Sequence, residues 1–208
     1  MSHITKSRIV RYDGQDWFIN HRYGGVYLGA MTSIMRQLHC ILDYHSKILV
    51  IRFDLRLYVY TADNEVISRF NELLHRWLRR NYGMKRLGFC WAREMENSDK
   101  QHYHYALMLN GHKVRHPSKI LEQAKLYWDE YIQGSFFVPE NCYYFIQRHD
   151  KEAMQNVIFR LSYLAKVNGK ENRPDQTKRF GSSRLENTGS QRLSNRVSSK
   201  MVESSPHV

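Results

Sequence analysis

From Ile48 to Tyr60 the side chains alternate in character, with Ile51, Phe53, Leu55, Leu57 and Val59 on one side and Arg52, Asp54, Arg56 and Tyr58 on the other. A period of two belongs to an extended strand, whose successive side chains point to opposite faces. The chain must therefore build a sheet with one packed face and one face that keeps charge. Two further stretches obey the same rule. Arg86 to Met95 sets Leu87, Phe89 and Trp91 opposite Gly88, Cys90, Ala92 and Glu94. After a polar turn over 96–101, His102 to Leu109 sets Tyr103, Tyr105, Leu107 and Leu109 opposite His102 and His104. These two runs read as a hairpin.

Helical spacing fills the intervals. Thr32 to Tyr44 aligns Ile34, Leu38, Ile41 and Leu42, with Thr32 or Ser33 as N-cap. Asn64 to Tyr82 carries an apolar stripe from Val66 to Leu78 and stops at Gly83. Pro117 opens a helix to Ile132, a short strand follows around Cys142 to Gln147, and Asp150 caps a last helix to Val167. The order β-α-β-β-α-β, with a helix added at each end, predicts an α+β fold. It is of the split βαβ type, ferredoxin-like or RRM-like: an antiparallel sheet in which the first and third strands are neighbours and the histidine strand is central. The final helix is expected to cover the face that the crossover helices leave open. Residues 1–30 show no clean period and read as an irregular arm, 31–167 as the domain, and 168–208, rich in Asn, Ser, Gly, Arg and Lys, as a basic and largely disordered tail.

Charge narrows the function. Against 20 Asp and Glu stand 32 Lys and Arg, a formal charge of +12 over 208 residues, which points to a polyanionic partner and to nucleic acid first. No apolar run approaches the length of a membrane span, and the first residues lack the apolar stretch of a secretory signal. The three cysteines, Cys40, Cys90 and Cys142, have no C-x-x-C spacing, so neither a disulfide framework nor a zinc ribbon is indicated and a reducing cytosol is the expected compartment.

The alternation also decides which polar side chains share a surface. With the aromatic residues of the hairpin facing the helices, Glu94, His102 and His104 face the other way. A register that pairs Glu94 with His104 keeps the turn short and sets the carboxylate beside both imidazoles. Two histidines and a carboxylate form a recognised set for a divalent metal. Arg52, Asp54 and Arg56 lie on the same face of the first strand, placed to bind phosphate or to orient a ligating histidine. With 11 histidines in the chain an H-x-H run alone carries little weight, and the competing reading is a pair of solvated surface histidines. Strand placement and the carboxylate across the hairpin favour metal. Cys90 is the sole candidate for a fourth ligand of a closed zinc site, and the strong positive charge does not suit a non-haem iron centre particularly.

Three ligands leave positions open, and for a basic protein the natural guest is a phosphodiester. Water as nucleophile would make a simple nuclease; a side chain would make a covalent enzyme–DNA intermediate that conserves the bond energy for rejoining. The last helix offers Tyr163 with Lys166 three residues later. The same Y-x-x-K spacing recurs at Tyr44 and Lys47 and at Tyr82 and Lys85, but there at helix ends. Tyr163 differs because the apolar stripe Met154, Val157, Ile158, Leu161, Leu164 and Ala165 lies on the other side of its helix. That creates a tension: if the stripe packs on the sheet, Tyr163 points away from the metal, so the stripe must also pack elsewhere, for example on the helix over 32–44.

With Glu94, His102-Tyr-His104 and Tyr163-x-x-Lys166 in this order, the sequence resembles the HUH endonucleases that initiate rolling-circle replication, in their single-tyrosine branch. More narrowly, the runs SKILVIRFDLRLY, GFCWAREMENSDKQHYHYALMLNG, VIFRLSYLAKV and KRFGSSR resemble the inovirus-type replication proteins, also known as the YagK/YfjJ C-terminal domain family, over Lys47 to Arg184. The resemblance implies a Mg or Mn ion on His102, His104 and Glu94, with Glu96 as the alternative carboxylate. It also implies attack by Tyr163 on a scissile phosphate, a 5′-phosphotyrosine, and a free 3′-hydroxyl for a polymerase. Lys166 would favour the phenolate of a group whose ordinary pKa is about 10 and would position the phosphate. In KRFGSSR, which has no role in that scheme, Arg179, Phe180 and Arg184 (beside Lys178) would clamp a backbone and stack a base, or else form a solvated linker.

The implied activity is metal-dependent nicking and strand transfer at the replication origin of a phage, prophage or satellite, in the cytosol of a bacterial host. Its partner is single-stranded DNA; no membrane is involved. The chain is too short to carry a helicase domain, so a host helicase would open the duplex. The alternative is a non-catalytic DNA-binding prophage regulator that keeps the initiator-like fold.

Overall fold

The computed structural model describes residues 3–95, 101–170, 177–186 and 198–199. It is a mixed α+β structure with four α-helices and an antiparallel sheet of six strands at its centre. Short strands β1 (Ile4–Thr5), β2 (Ile9–Tyr12), β3 (Gln15–Phe18) and β4 (Val26–Tyr27) precede helix α1 (Leu28–Tyr44). Then come β5 (Lys47–Leu57), α2 (Glu65–Tyr82), β6 (Gly88–Met95), β7 (Gln101–Asn110), α3 (Ser118–Leu126), β8 (Gly134–Phe137), β9 (Tyr143–Gln147) and α4 (Lys151–Leu161). Last are β10 (Phe180–Ser182) and β11 (Ser198–Ser199). The central sheet runs β10-β6-β7-β5-β8, with β9 also pairing β5, so β5 and β7 are neighbours as the element order predicts.

The sheet separates two cores. On one face Phe53, Leu55, Tyr103, Tyr105 and Leu107 pack against Phe70, Leu74 and Leu78 of α2 and Ile120 and Ala124 of α3. On the other, Val50, Ala106, Met108 and Ile146 pack against α1, α4 and the N-terminal strands. No described helix is long and apolar enough to cross a membrane.

Several expectations change. Residues 3–30, expected to be an irregular arm, form four short strands and the start of α1. Asp13 and Gly14, with φ of 51° and 73°, make the two-residue turn that joins β2 to β3. α1 begins at Leu28, and Thr32 and Ser33 lie inside it, donating back to the carbonyls of Leu28 and Gly29 at 2.9 and 3.1 Å instead of capping. The strand expected around 142–147 is β9, which pairs the first half of β5, and a further strand before it, β8, pairs the second half. The helix expected to run from Pro117 to Ile132 closes as a π-helical turn over Tyr127–Tyr131, which lets the buried Trp128 donate to the carbonyl of Arg56 at 2.9 Å. The last helix leaves α geometry at Ser162 and finishes as a 3₁₀ turn over Ser162–Ala165.

Within the stretch expected to be a disordered tail, 177–186 is packed. β10 extends the sheet along β6, with Phe180, Gly181 and Ser182 opposite Ala92, Trp91 and Cys90. Gly181 lies so close to the Trp91 indole that a Cβ would overlap it.

Candidate metal and tyrosine site

The hairpin of β6 and β7 pairs Glu94 with His102 and Ala92 with His104, two residues away from the expected register. An even shift preserves the faces, so Glu94, His102 and His104 still meet on the side away from α2 and α3. Their ligating atoms all lie within 4.8 Å of one another. His104 Nε2 is 3.1 Å and His102 Nε2 3.4 Å from Glu94 Oε2. Glu96, the alternative carboxylate, lies outside the described residues.

β5 supports this cluster. Asp54 stands opposite His104 in register and its Oδ1 is 2.7 Å from His104 Nδ1. That contact places the ring proton on Nδ1 and leaves the Nε2 lone pair facing Glu94. Arg52 Nη2 lies 3.3 Å from both Asp54 Oδ1 and His104 Nδ1. Since a protonated Nδ1 cannot accept, the Arg52 interaction that counts is with the carboxylate. Arg52 and Asp54 are buried whereas Arg56 is exposed. Of the three polar residues expected to bind DNA from this strand, Asp54 therefore orients a histidine and Arg56 remains open to a ligand.

The 3₁₀ turn brings the tyrosine in. Residues three apart eclipse in a 3₁₀ helix, so Tyr163 and Lys166 project together. Lys166 Nζ donates to Tyr163 Oη at 2.7 Å and sits 2.9 Å from Glu94 Oε2. One ammonium thus bridges the phenol oxygen and the candidate metal carboxylate. The Tyr163 ring meets His104 edge-on at 5.0 Å between centroids, and the Arg52 guanidinium lies 5.1 Å from its centre. The tension over the helix disappears: the stripe from Met154 to Ala165 packs into the core shared with α1, and the change of helical pitch at Ser162 turns Tyr163 onto the sheet.

The N-terminal segment clamps this turn. Asn20 N donates to Ser162 Oγ at 2.8 Å, Val167 N to the Gly25 carbonyl at 3.0 Å and Asn168 N to the Tyr23 carbonyl at 3.2 Å, while Tyr23 packs edge-on against Tyr163.

Lys170 belongs to the site and sequence reasoning passed over it. Met95 N donates to the Gly169 carbonyl at 2.9 Å, which lays the chain under β6 and directs the Lys170 ammonium onto Glu94 Oε1, with none of its side chain exposed. Lys170 lies beyond the end of the helical turn at Ala165, in the stretch read as tail, so no periodicity points to it. Burial pulls its pKa down to about 8, with Glu94 opposing and Lys166 and Arg179 adding to the fall. Burial would raise the Glu94 carboxyl, yet the adjacent His102 and His104 and the charge of Lys170 outweigh it and hold the group well below the ordinary carboxylate range. Asp54 is lowered for the same reason, burial being outweighed by His104 and Arg52. For Lys166, burial is outweighed by Tyr163 and Glu94, and its pKa rises.

The cluster fits a divalent ion by an independent criterion. Glu94 Oε2 and His104 Nε2 are both buried without a hydrogen-bond partner, since Lys166 reaches Oε2 as an ion pair outside hydrogen-bond angles. Buried lone pairs aimed at a common point are costly unless a cation takes them. Phe180 does not project free to stack a base; it packs edge-on against Tyr27 at 5.4 Å and lies 5.7 Å from the Lys170 ammonium. Arg179 spends its carbonyl on Arg93 N at 2.8 Å and lies against Tyr27, and Arg184 is exposed.

The chain is 28% identical over 185 residues, 70% of its own length and 88% of the relative's, to the uncharacterized protein YagK of Escherichia coli (strain K12). No solved structure matches. A family model matches residues 11–183, a span that takes in the arm clamping Tyr163, the metal-ligand set and the edge strand under Lys170, and by this match the chain belongs to the YagK/YfjJ C-terminal domain family.

Proposed function

We propose that the protein is a metal-dependent DNA-nicking and strand-transfer endonuclease that opens rolling-circle replication of a phage, prophage or satellite. The carrying observation is the Lys166 ammonium, 2.7 Å from Tyr163 Oη and 2.9 Å from Glu94 Oε2, beside His102 and His104. The strand order β6-β7-β5-β8, with α2 and α3 as crossovers on one face, supports the split βαβ arrangement of such initiators.

His102, His104 and Glu94 would hold the ion, Mg or Mn, which when bound polarises the scissile phosphate. Asp54 keeps His104 in the ligating tautomer. Arg52, Lys166 and Lys170 hold positive charge around the place where the phosphate oxygens gather. Tyr163 Oη attacks phosphorus. As the O–P bond forms, the phenol proton is lost to solvent, with the adjacent ammonium favouring the phenolate. The bond from phosphorus to the 3′ oxygen breaks and that oxygen takes up a proton to become a free hydroxyl. The resulting 5′-phosphotyrosine retains the bond energy, so attack by another 3′-hydroxyl reverses the step and joins strands. The partner is single-stranded DNA at an origin, with a host helicase to extend the opening.

Incubation with single-stranded DNA of the surrounding locus and Mn should yield a denaturant-resistant protein–DNA adduct. Tyr163→Phe should abolish it, and chelation should prevent it. An adduct undiminished in Tyr163→Phe overturns the assignment. DNA binding without any cleavage in Mn, unchanged by His102→Ala, would establish the non-catalytic regulator instead.

A further inference from the structure

β8 puts Phe136 into the helix-covered core, where its ring stacks on Phe53 at 5.0 Å, so the alternation of the strand turns Phe137 to the opposite face. There Phe137 is the register partner of Asp54, and Asp54 is the partner of His104. The ring therefore lies in one row with the metal-ligand cluster, two strand spacings or ~10 Å along the sheet from His104. It is 45% exposed. Its charged neighbour is Arg56, whose guanidinium carbon lies 5.3 Å from the ring centre and whose register partner is His102. Arg52, on the same strand as Arg56, is close enough to Arg160 of α4 for the two charges to oppose each other, so basic side chains flank Asp54 on the way from the cluster to Phe137.

A half-open phenylalanine beside a guanidinium, on the sheet face of the cluster, has the chemistry of a base-stacking surface: an aromatic plane for the base, a cation for the ring and for the backbone. We propose that Phe137 and Arg56 form a stacking platform for an unpaired base of the DNA strand, next to the phosphate held at the metal and tyrosine site. This inference rests on the DNA-nicking reading and names a contact that the reading lacks. Stacking on an aromatic plane needs no particular base edge, so the platform accepts any base.

Binding is measured in the Tyr163→Phe protein in EDTA, where no cleavage occurs, with fluorescent oligo(dT) and with an abasic spacer oligomer of equal length and charge. The protein should prefer oligo(dT). Phe137→Ala should weaken oligo(dT) by about tenfold and leave the abasic oligomer unchanged, while Phe137→Trp restores the preference. Phe137→Ala within twofold of the parent on oligo(dT), or weakened equally on both oligomers, overturns the platform. Because the readout needs neither metal nor nucleophile, a failed adduct assay with the preference intact would sink the chemistry alone, and the converse result would sink the platform alone.

Discussion

On the face covered by α2 and α3, the central strands present Phe53, Trp91, Tyr103 and Tyr105, all buried in one apolar core. One residue along each strand, the opposite face presents Asp54, Glu94, His102 and His104. At the turn end of the hairpin each face buries a charged residue of β6, and the two are held differently. Arg93, 4% exposed, donates to the carbonyls of Thr61 and Asp63 and to Gln101 Oε1 at 2.7 Å, all of them uncharged acceptors. Glu94, 1% exposed, is surrounded by two ammonium groups and two imidazoles. Fixed dipoles around a buried charge keep a loop in place. Mobile cations around a carboxylate balance it with groups that a metal ion or a phosphate can redirect, which makes the second face suited to chemistry and the first to stability.

The contrast breaks most readily at its extremes. Phe70→Ala, in the fully buried centre of the helix-covered core, should cost about 3–5 kcal/mol in urea unfolding, because a large ring is removed from a site that cannot collapse around it. A loss below about 1 kcal/mol would mean that this face is not the stabilising one. On the other face Asp54→Asn should cost less in unfolding than Phe70→Ala but weaken Mn binding, read by calorimetry, about 10- to 100-fold, since it removes the charge that orients His104. Equal affinity for Mn would remove Asp54 from the site.

Gly181→Ala tests whether β10 belongs to the site face. The added Cβ overlaps the Trp91 indole, so the strand must shift at a cost of about 1–3 kcal/mol, and amide exchange at Arg93, whose N–H bonds the Arg179 carbonyl at 2.8 Å, should speed up. The smallest effects are in pH. His75, beside Phe89 on the helix-covered face, has its pKa lowered to about 4, first by burial and then by Arg79. The unfolded chain therefore binds the extra proton between about 6.5 and 4, and stability falls across that window as pH falls. Glu94 and Asp54, both lowered, contribute stability that is complete above the ordinary carboxylate range and is lost as pH falls below it. His75→Phe should flatten the upper part of the acid limb and Asp54→Asn the lower part; the reverse assignment would contradict the placement of these charges.

Much of this arrangement is legible in the residues. The alternation in Ile48–Tyr60 and in the hairpin separates Phe53 from Asp54 and Tyr103 from His104 correctly, because side-chain direction in a strand depends on parity alone. The same parity explains why the register error at Glu94 did no harm to the site. The hairpin of β2 and β3 was readable too: Asp13-Gly14 between two short runs is the signal of a two-residue turn. The packing of 177–186 is not legible because a short basic run with Gly and Ser looks solvated, and the partner that orders it, β6, lies about 90 residues away.

By itself the sequence determined the order of the central elements and which residues share a sheet face, since these follow from periods of two and 3.6, and it offered Glu94, His102, His104, Tyr163 and Lys166 as the candidate set. Only the tertiary structure decided that Tyr163 faces His104, that residues 20–27 hold it there, and that Lys170 is buried on Glu94. Those outcomes depend on where a helix changes pitch and on which distant backbone groups find each other's hydrogen bonds, and such long-range pairings leave no periodic trace in the chain that makes them.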